Sequence, residues 1–229
     1  MTREVDGVHI ETEHQMVTPR KTTLKRSTYR HGDLHNALVQ AGIELARGGG
    51  PDAVVLREAT RQVGVAPNAA YRHFADRRAL LLAVCAVAQA KLAEAMEAEL
   101  AKVPSEGSRS DIAQATLRAV GTAYLAFAKK EPGLFRTAFS VHEDLQRATT
   151  PDMAGPGGLT PFQILGAALD KLVDAGVLPP ERRPGAEFLA WSAVHGLAML
   201  LLDGPLRSID TDLTQAISER VLRMVENGL

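Results

Sequence analysis

The sequence predicts an all-α protein, and three observations carry that prediction. Of 229 residues 45% are hydrophobic but only 4% aromatic, the apolar content coming mainly from Ala and Leu with few β-branched runs. Apolar residues recur at three- and four-residue spacings along most of the chain. Gly and Pro cluster between those periodic stretches, where they act as stops and turns.

Residues 1–28 show no sustained periodicity, and "PRKTTLKRSTYR" carries five cations and no acid. They are expected as a disordered basic arm, either a solubilising tail or an arm that touches phosphates or a minor groove. From Asp33, with Gly32-Asp33 as the start signal, Leu34, Leu38, Ala41 and Leu45 mark a first helix. It stops at Gly48-Gly49-Gly50-Pro51. A second helix spans about Leu56 to Val63, burying Leu56, Ala59 and Val63, and Gly64 supplies the permissive backbone its exit needs. A third, short helix starts at Pro67, which suits a first turn because its missing N–H would be unpaired there, and ends near Phe74. Asp76 then reads as the N-cap of a long helix from about Arg77 to Ala101, with Leu80, Leu81, Val84, Val87 and Leu92 facing inward. "PSEGSRS" ends it.

The rest of the chain holds further helical segments. Asp111 to Lys130 is closed by Glu131-Pro132-Gly133, and a short segment follows from about Leu134 to His142. After the loop "QRATTPDMAGPGGL", Thr160-Pro161 opens a helix that ends at Gly176. "RPGAEFLAWSAVHGLAMLLLDGP" is the most apolar helix. The last runs from about Asp212 to Glu226 with Leu213, Ile217, Val221 and Met224 on one side. No repeat or linker separates independent units. The expected organisation is a head at residues 29–76 joined through the long helix to a body at residues 77–229.

The lone cysteine, Cys85, rules out an internal disulfide framework and a multi-thiolate metal site, and its apolar neighbours suggest a small buried hydrophobe. No cofactor or metal is expected. No run reaches about 18 uninterrupted apolar residues, and "MTREVDGVHIETEHQ" lacks a signal-peptide core. A cytoplasmic protein without a membrane partner is therefore expected. The net charge of −1 is uneven: residues 20–78 carry eleven Lys and Arg against five Asp and Glu, whereas residues 79–229 carry fourteen against eighteen. One basic end on an acidic body points to a polyanion partner.

That basic end holds "GVAPNAAYRHFADRRALL" (Gly64–Leu81). Two helices around a Gly-containing turn, packed on a preceding helix, make a helix-turn-helix whose second helix enters the major groove. Pro67, Asn68, Ala69 and Ala70 are short enough for close approach; Asn68 suits an adenine edge and the alanines suit thymine methyls. Tyr71, Arg72 and His73 reach phosphate height. Arg77 and Arg78 stand at the next helix N-terminus, where free N–H groups favour an anion. Read residue by residue, a core position for Tyr71 or a solvated face for any one arginine accounts for it as well as a DNA contact does; Phe74 is assigned to the core.

"LREATRQVGVAPNAAYRHFADRRALL" resembles the signature of the TetR/AcrR family of one-component transcriptional regulators. "YRHGDLHNAL" and "AWSAVHGL" extend the resemblance to a subgroup with Trp, His and Gly close together in the C-terminal domain. The resemblance implies a dimer on pseudo-palindromic double-stranded operator DNA, more often repressing than activating, and a small-molecule effector bound between the C-terminal helices. A shift of the long helix would then respace the paired heads. Its DNA contacts map to Arg57, Pro67, Asn68, Ala69, Tyr71, His73 and Arg77, the last in place of a phosphate-binding lysine. Where the family usually has capping Ser or Thr the chain has Val55 and Ala66, each costing about 1 kcal/mol of capping. Thr60 stands where Ala is usual between the two helices.

A homodimer seam is expected along the last two long helices. There Leu197, Leu200, Leu201 and Leu202 with Phe188, Leu189 and Trp191 exceed what one buried side needs, unless other helices cover them. Tyr124, Phe127, Phe139, His142, Trp191, His195 and Met199 combine apolar area with polar handles, as effector pockets do. For His195 a packed ring bonded to a backbone carbonyl is the plainer alternative, and for Trp191 simple core packing. No catalytic residue is expected. Ser192 and His195, three apart on a predicted helix, lack a Gly-flanked elbow, and "VHEDLQ" lacks a second metal-binding His. A helical interaction module would explain the apolar helices but not the basic segment.

Overall fold

The computed structural model describes residues 34–141 and 148–229. The expected arm at residues 1–28, the start signal Gly32-Asp33 and the candidate pocket residue His142 lie outside the described residues. Those described form nine α-helices: α1 (Leu34–Ala53), α2 (Leu56–Val63), α3 (Pro67–Ala70), α4 (Arg77–Leu100), α5 (Arg109–Lys130), α6 (Pro132–Ala138), α7 (Pro161–Asp174), α8 (Ala186–Leu202) and α9 (Thr211–Gly228). The fold is all-α, as the sequence predicts.

Local chemistry sets most boundaries. Within α1 the regular helix breaks at Gly50 (φ 67°), so Pro51–Ala53 form a separate turn at the expected stop. Asp76 caps α4, its carboxylate accepting from the Ala79 N–H at 2.8 Å. Ser108 caps α5 by accepting from the Asp111 N–H at 3.1 Å, so this helix begins two residues before Asp111. Thr160 and Gln163 form a reciprocal capping box at the start of α7.

A single apolar cluster runs without interruption from Leu38 in α1 to Leu229 at the chain end. Two helices make it continuous. α4 seals Leu80 and Val84 under the head and buries Leu92 and Met96 in the body. An 18-residue window of α4 is long and apolar enough to cross a membrane by composition, at a mean hydropathy of 1.6. Half of that window is buried, as befits a helix packed against α1, α5, α6 and α7. α6 lies directly on α1: a Cβ on Gly133 would sit 2.1 Å from the Ala46 carbonyl oxygen. At the other side of α6, Arg136 grips Asp203, at the end of α8, through both carboxylate oxygens at 2.6 and 2.9 Å.

The α8–α9 region departs from the expected packing. Leu197 is buried inside the protomer, and Trp191 turns inward, so neither belongs to an outer seam. Phe188, Leu189, Met199 and Leu200 instead form the exposed face of α8. On α9, Leu213 and Met224 of the expected stripe are 46% and 58% exposed, while Val221 of that stripe packs on the core together with Leu222 and Val225. The packed face of α9 shares Val221 with the expected stripe and turns from it toward Leu222 and Val225.

Candidate DNA-reading head and ligand cavity

The turn between α2 and α3 depends on Gly64, whose φ of 77° lies in the left-handed region that costs a glycine no steric strain. Its N–H and that of Val65 both bond to the Thr60 carbonyl, at 2.9 and 3.0 Å. The Thr60 hydroxyl donates to the Arg57 carbonyl at 2.8 Å, so the unusual residue between the helices is buried with its polar group paired. Neither Val55 nor Ala66 provides a side-chain cap.

The reading helix is shorter than expected, Pro67–Ala70, with Tyr71–His73 continuing as turns. Without an acceptor at Ala66 the first turn closes on itself, the Ala69 N–H bonding the Ala66 carbonyl at 2.9 Å. The last turn then tightens through His73 N–H to the Ala70 carbonyl at 2.9 Å. Ala70 and Phe74 anchor this element in the core. Pro67, Asn68, Tyr71 and Arg72 are left exposed, with Ala69 and His73 half-buried at its edge; Arg57 on α2 and Arg78 on α4 are exposed as well. His35 of α1 stacks on Phe74 at 4.8 Å and meets the His73 ring edge-on at 6.2 Å.

Arg77 is placed differently from the phosphate role expected for it. Its Nε donates to the Val54 carbonyl at 2.9 Å and an Nη to the Pro51 carbonyl at 2.7 Å, with Asp52 at 3.7 Å. The guanidinium thus ties the Pro51–Val54 turn to the start of α4, the Pro51 carbonyl accepting from the Val54 N–H at 3.2 Å as well.

The body encloses a cavity of about 590 Å³ bounded by α4, α5, α7, α8, α9 and the C-terminal end of α6. Of the residues expected there, Tyr124, Phe139, Trp191 and His195 line it. Phe127 faces the packed core three residues beyond Tyr124, and Met199 stands on the exposed side of α8. Trp191 Nε1–H donates to the Tyr124 hydroxyl at 3.1 Å, and that hydroxyl lies 2.7 Å from His195 Nδ1. Burial pushes the Tyr124 phenol above its ordinary range, the Trp191 bond opposing this; burial pulls the His195 imidazole below its usual value. Phe139 and Phe135 hold the imidazole ring at 4.9 and 5.7 Å.

Sequence reasoning missed several lining groups. Cys85 and Gln89 both donate to the Ala138 carbonyl, at 3.2 and 2.9 Å, tying α4 to the end of α6 at the cavity wall. Arg118 and Glu226 also line the cavity and form a two-armed ion pair, one arm Arg118 Nε to Glu226 Oε1 at 2.7 Å. They are 108 residues apart, and no local pattern links them. His195 engages Tyr124, and the described hydrogen bonds include none between it and Ser192, as a hydrolytic pair would require.

An exposed short reading helix on a hollow helical body defines a DNA-binding regulator. Residues 38–84 match the domain of bacterial regulatory proteins of the tetR family, and residues 117–225 match the tetracyclin repressor-like C-terminal domain. The chain belongs to the TetR family of transcriptional regulators, a DNA-binding family and not a family of enzymes. Solved structures agree in fold. A Rhodococcus sp. RHA1 protein of unknown function superimposes with a TM-score of 0.65 at 24% identity, over 86% of this chain and 98% of its own. FadR from Bacillus subtilis, in complex with stearoyl-CoA, gives 0.61 at 16% identity, over 85% and 99%. A TetR family regulator from Marinobacter aquaeolei VT8 gives 0.55 at 18%, over 86% and 95%. No curated protein matches the chain.

Proposed function

We propose that the chain is a cytoplasmic, effector-released repressor that binds a pseudo-palindromic operator as a homodimer. Residues 29–76 form the reading head and residues 77–229 the effector and dimerisation body. The observation that carries this reading is the outward row of Pro67, Asn68, Tyr71 and Arg72 above the buried Ala70 and Phe74. Asn68 with Ala69 reads base edges. Arg57, Tyr71, Arg72, His73 and Arg78 hold phosphates, while Arg77 frames the head.

The unpartnered face of α8 with Leu213 and Met224 of α9 supplies the apolar area of an isologous dimer. α6 supports the regulatory half, since one end lines the cavity and the other is seated on α1 without room for a methyl group. A ligand that moves Phe139 moves the head. The stearoyl-CoA complex of the Bacillus protein supports use of such a body for a ligand that carries a long acyl chain.

The test is a footprint and salt-titrated gel shift on DNA flanking the chain's own gene. Steeply salt-dependent binding that survives competitor DNA is expected. Asn68→Ala should change base preference at one position per half-site, and an unchanged preference profile would overturn its role as a base reader.

A further inference from the structure

We propose that the cavity is built for an uncharged, mainly apolar molecule carrying one carbonyl-type acceptor, which the Nε2–H of His195 engages. This rests on the reading of the cavity as the effector site and specifies its ligand chemistry.

The hydrogen-bond chain fixes where the imidazole proton lies. Trp191 Nε1–H is a donor only, so it occupies one lone pair of the Tyr124 hydroxyl. If His195 Nδ1 also donated to that oxygen, the buried phenolic proton would have no acceptor among the described residues. With the phenol donating to Nδ1, every group is satisfied in one direction: Trp191 N–H to Tyr124 O–H to His195 Nδ1. The neutral ring then carries its proton on Nε2. No described residue accepts from Nε2, and the ring lines the cavity. The site therefore presents a donor whose tautomer and orientation are set by two other wall residues, and a ligand must answer it with an acceptor.

Charge excludes both kinds of ion. Arg118 and Glu226 are the charged residues among the described residues lining the cavity, and each neutralises the other. The Glu226 side chain is only 8% exposed. An anionic ligand that captured Arg118 would strand that carboxylate, and a cationic one finds Glu226 already doubly engaged. Of the other described polar side chains on the wall, Cys85 and Gln89 already donate to the Ala138 carbonyl and Ser192 is uncharged, while Leu117, Val120, Leu165 and Val194 offer apolar contact.

The chain's one tryptophan, Trp191, lines the cavity and reports binding by its own fluorescence. Four probes of similar length are titrated into the full-length protein at neutral pH: methyl decanoate, undecane, decanoate and decylammonium. The ester should change the Trp191 emission saturably and bind about tenfold more tightly than the hydrocarbon, the worth of one hydrogen bond. Both ions should bind more weakly than the ester. His195→Phe should bring the ester down to the hydrocarbon's affinity, and His195→Gln, which keeps an N–H at a similar reach, should restore part of the difference. Tyr124→Phe should weaken the ester without affecting undecane.

Tighter binding of either ion, equal loss of ester and hydrocarbon in His195→Phe, or no saturable ester binding overturns the proposal. The comparison of probes on the unmodified protein decides it even where a variant fails to fold. Ester binding that leaves operator DNA bound would refute the effector reading and leave the cavity chemistry standing.

Discussion

The head and the cavity assemble function in opposite ways. In the head, the groups expected to meet DNA, Arg57 apart, come from one run of chain, Pro67 to Arg78, set above the two buried anchors Ala70 and Phe74. In the cavity the groups come from helices far apart in the chain, Arg118 and Tyr124 from α5, His195 from α8 and Glu226 from α9: Tyr124 and His195 meet across 71 residues and Arg118 and Glu226 across 108. A contiguous outward motif needs only a local scaffold, whereas the inward site exists only once the bundle has closed. Perturbations should therefore separate the two regions, except at the point where they touch.

That point is Gly133, and it gives the largest expected effect. The atoms a Cβ would meet are the backbone oxygens of Ala46 and Arg47, at 2.1 and 2.6 Å, which cannot rotate away as a side chain can. Gly133→Ala should lower stability by about 3 kcal/mol, as overpacking at a rigid contact does. Thermal unfolding checks this. A variant that kept wild-type stability while losing ligand control of DNA binding would show that α6 couples the regions without holding them together.

Arg77 tests where the reading face ends and its frame begins. As a frame, Arg77→Ala should cost about 2 kcal/mol of stability through two lost charge-assisted bonds to carbonyls. As a phosphate contact it would instead weaken binding on every operator sequence at native stability and reduce the salt dependence. The structure favours the first outcome, because Nε and an Nη are committed to Val54 and Pro51.

The same contrast explains what was legible in the sequence. Caps and stops were readable because they are local: Asp76, Thr160-Pro161 and the break at Gly50 fall where residue chemistry places them. Residue type alone picked out Tyr124, Phe139, Trp191 and His195 for the cavity, but it gave Phe127 and Met199 equal standing. Which side of α5 or α8 faces the hollow is decided by neighbours hundreds of atoms away in the chain. The bonds of Arg77 to the Pro51 and Val54 carbonyls were not legible for a related reason, since those carbonyls lie in the turn that follows the break of α1 at Gly50.

Ala66 allows the head to be sharpened in the other direction. The first turn of α3 lacks any side-chain acceptor, so Ala66→Ser should raise stability by about 1 kcal/mol. Tighter operator binding would accompany it if a loosely closed reading helix limits affinity. The cavity should not notice: methyl decanoate affinity in Ala66→Ser is expected to equal that of the wild type.

The smallest expected effect belongs to the cavity alone and follows from the sign of the His195 shift. Burial lowers the folded-state pKa of His195 from 6.5, while the unfolded chain keeps the ordinary value. As pH falls through 6.5, the unfolded state takes up the proton first, so stability declines until the folded ring protonates at its depressed value. Above 6.5 the contribution is fully present. Protonation also reverses the bond to Tyr124, because Nδ1 then becomes a donor facing a hydroxyl that already accepts from Trp191. The described groups around the ring are Tyr124 from α5, Phe135 and Phe139 from the α6 region, and Trp191 from α8. Of these only Tyr124 titrates, and burial moves it away from this pH range. The stability difference between wild type and His195→Gln should therefore be flat above pH 6.5 and shrink below it, by an amount kept small because the ring is only half-buried. A difference that grew on acidification would mean that the folded state holds the His195 proton more tightly than the unfolded chain, and the assigned direction of the Tyr124 bond would be wrong.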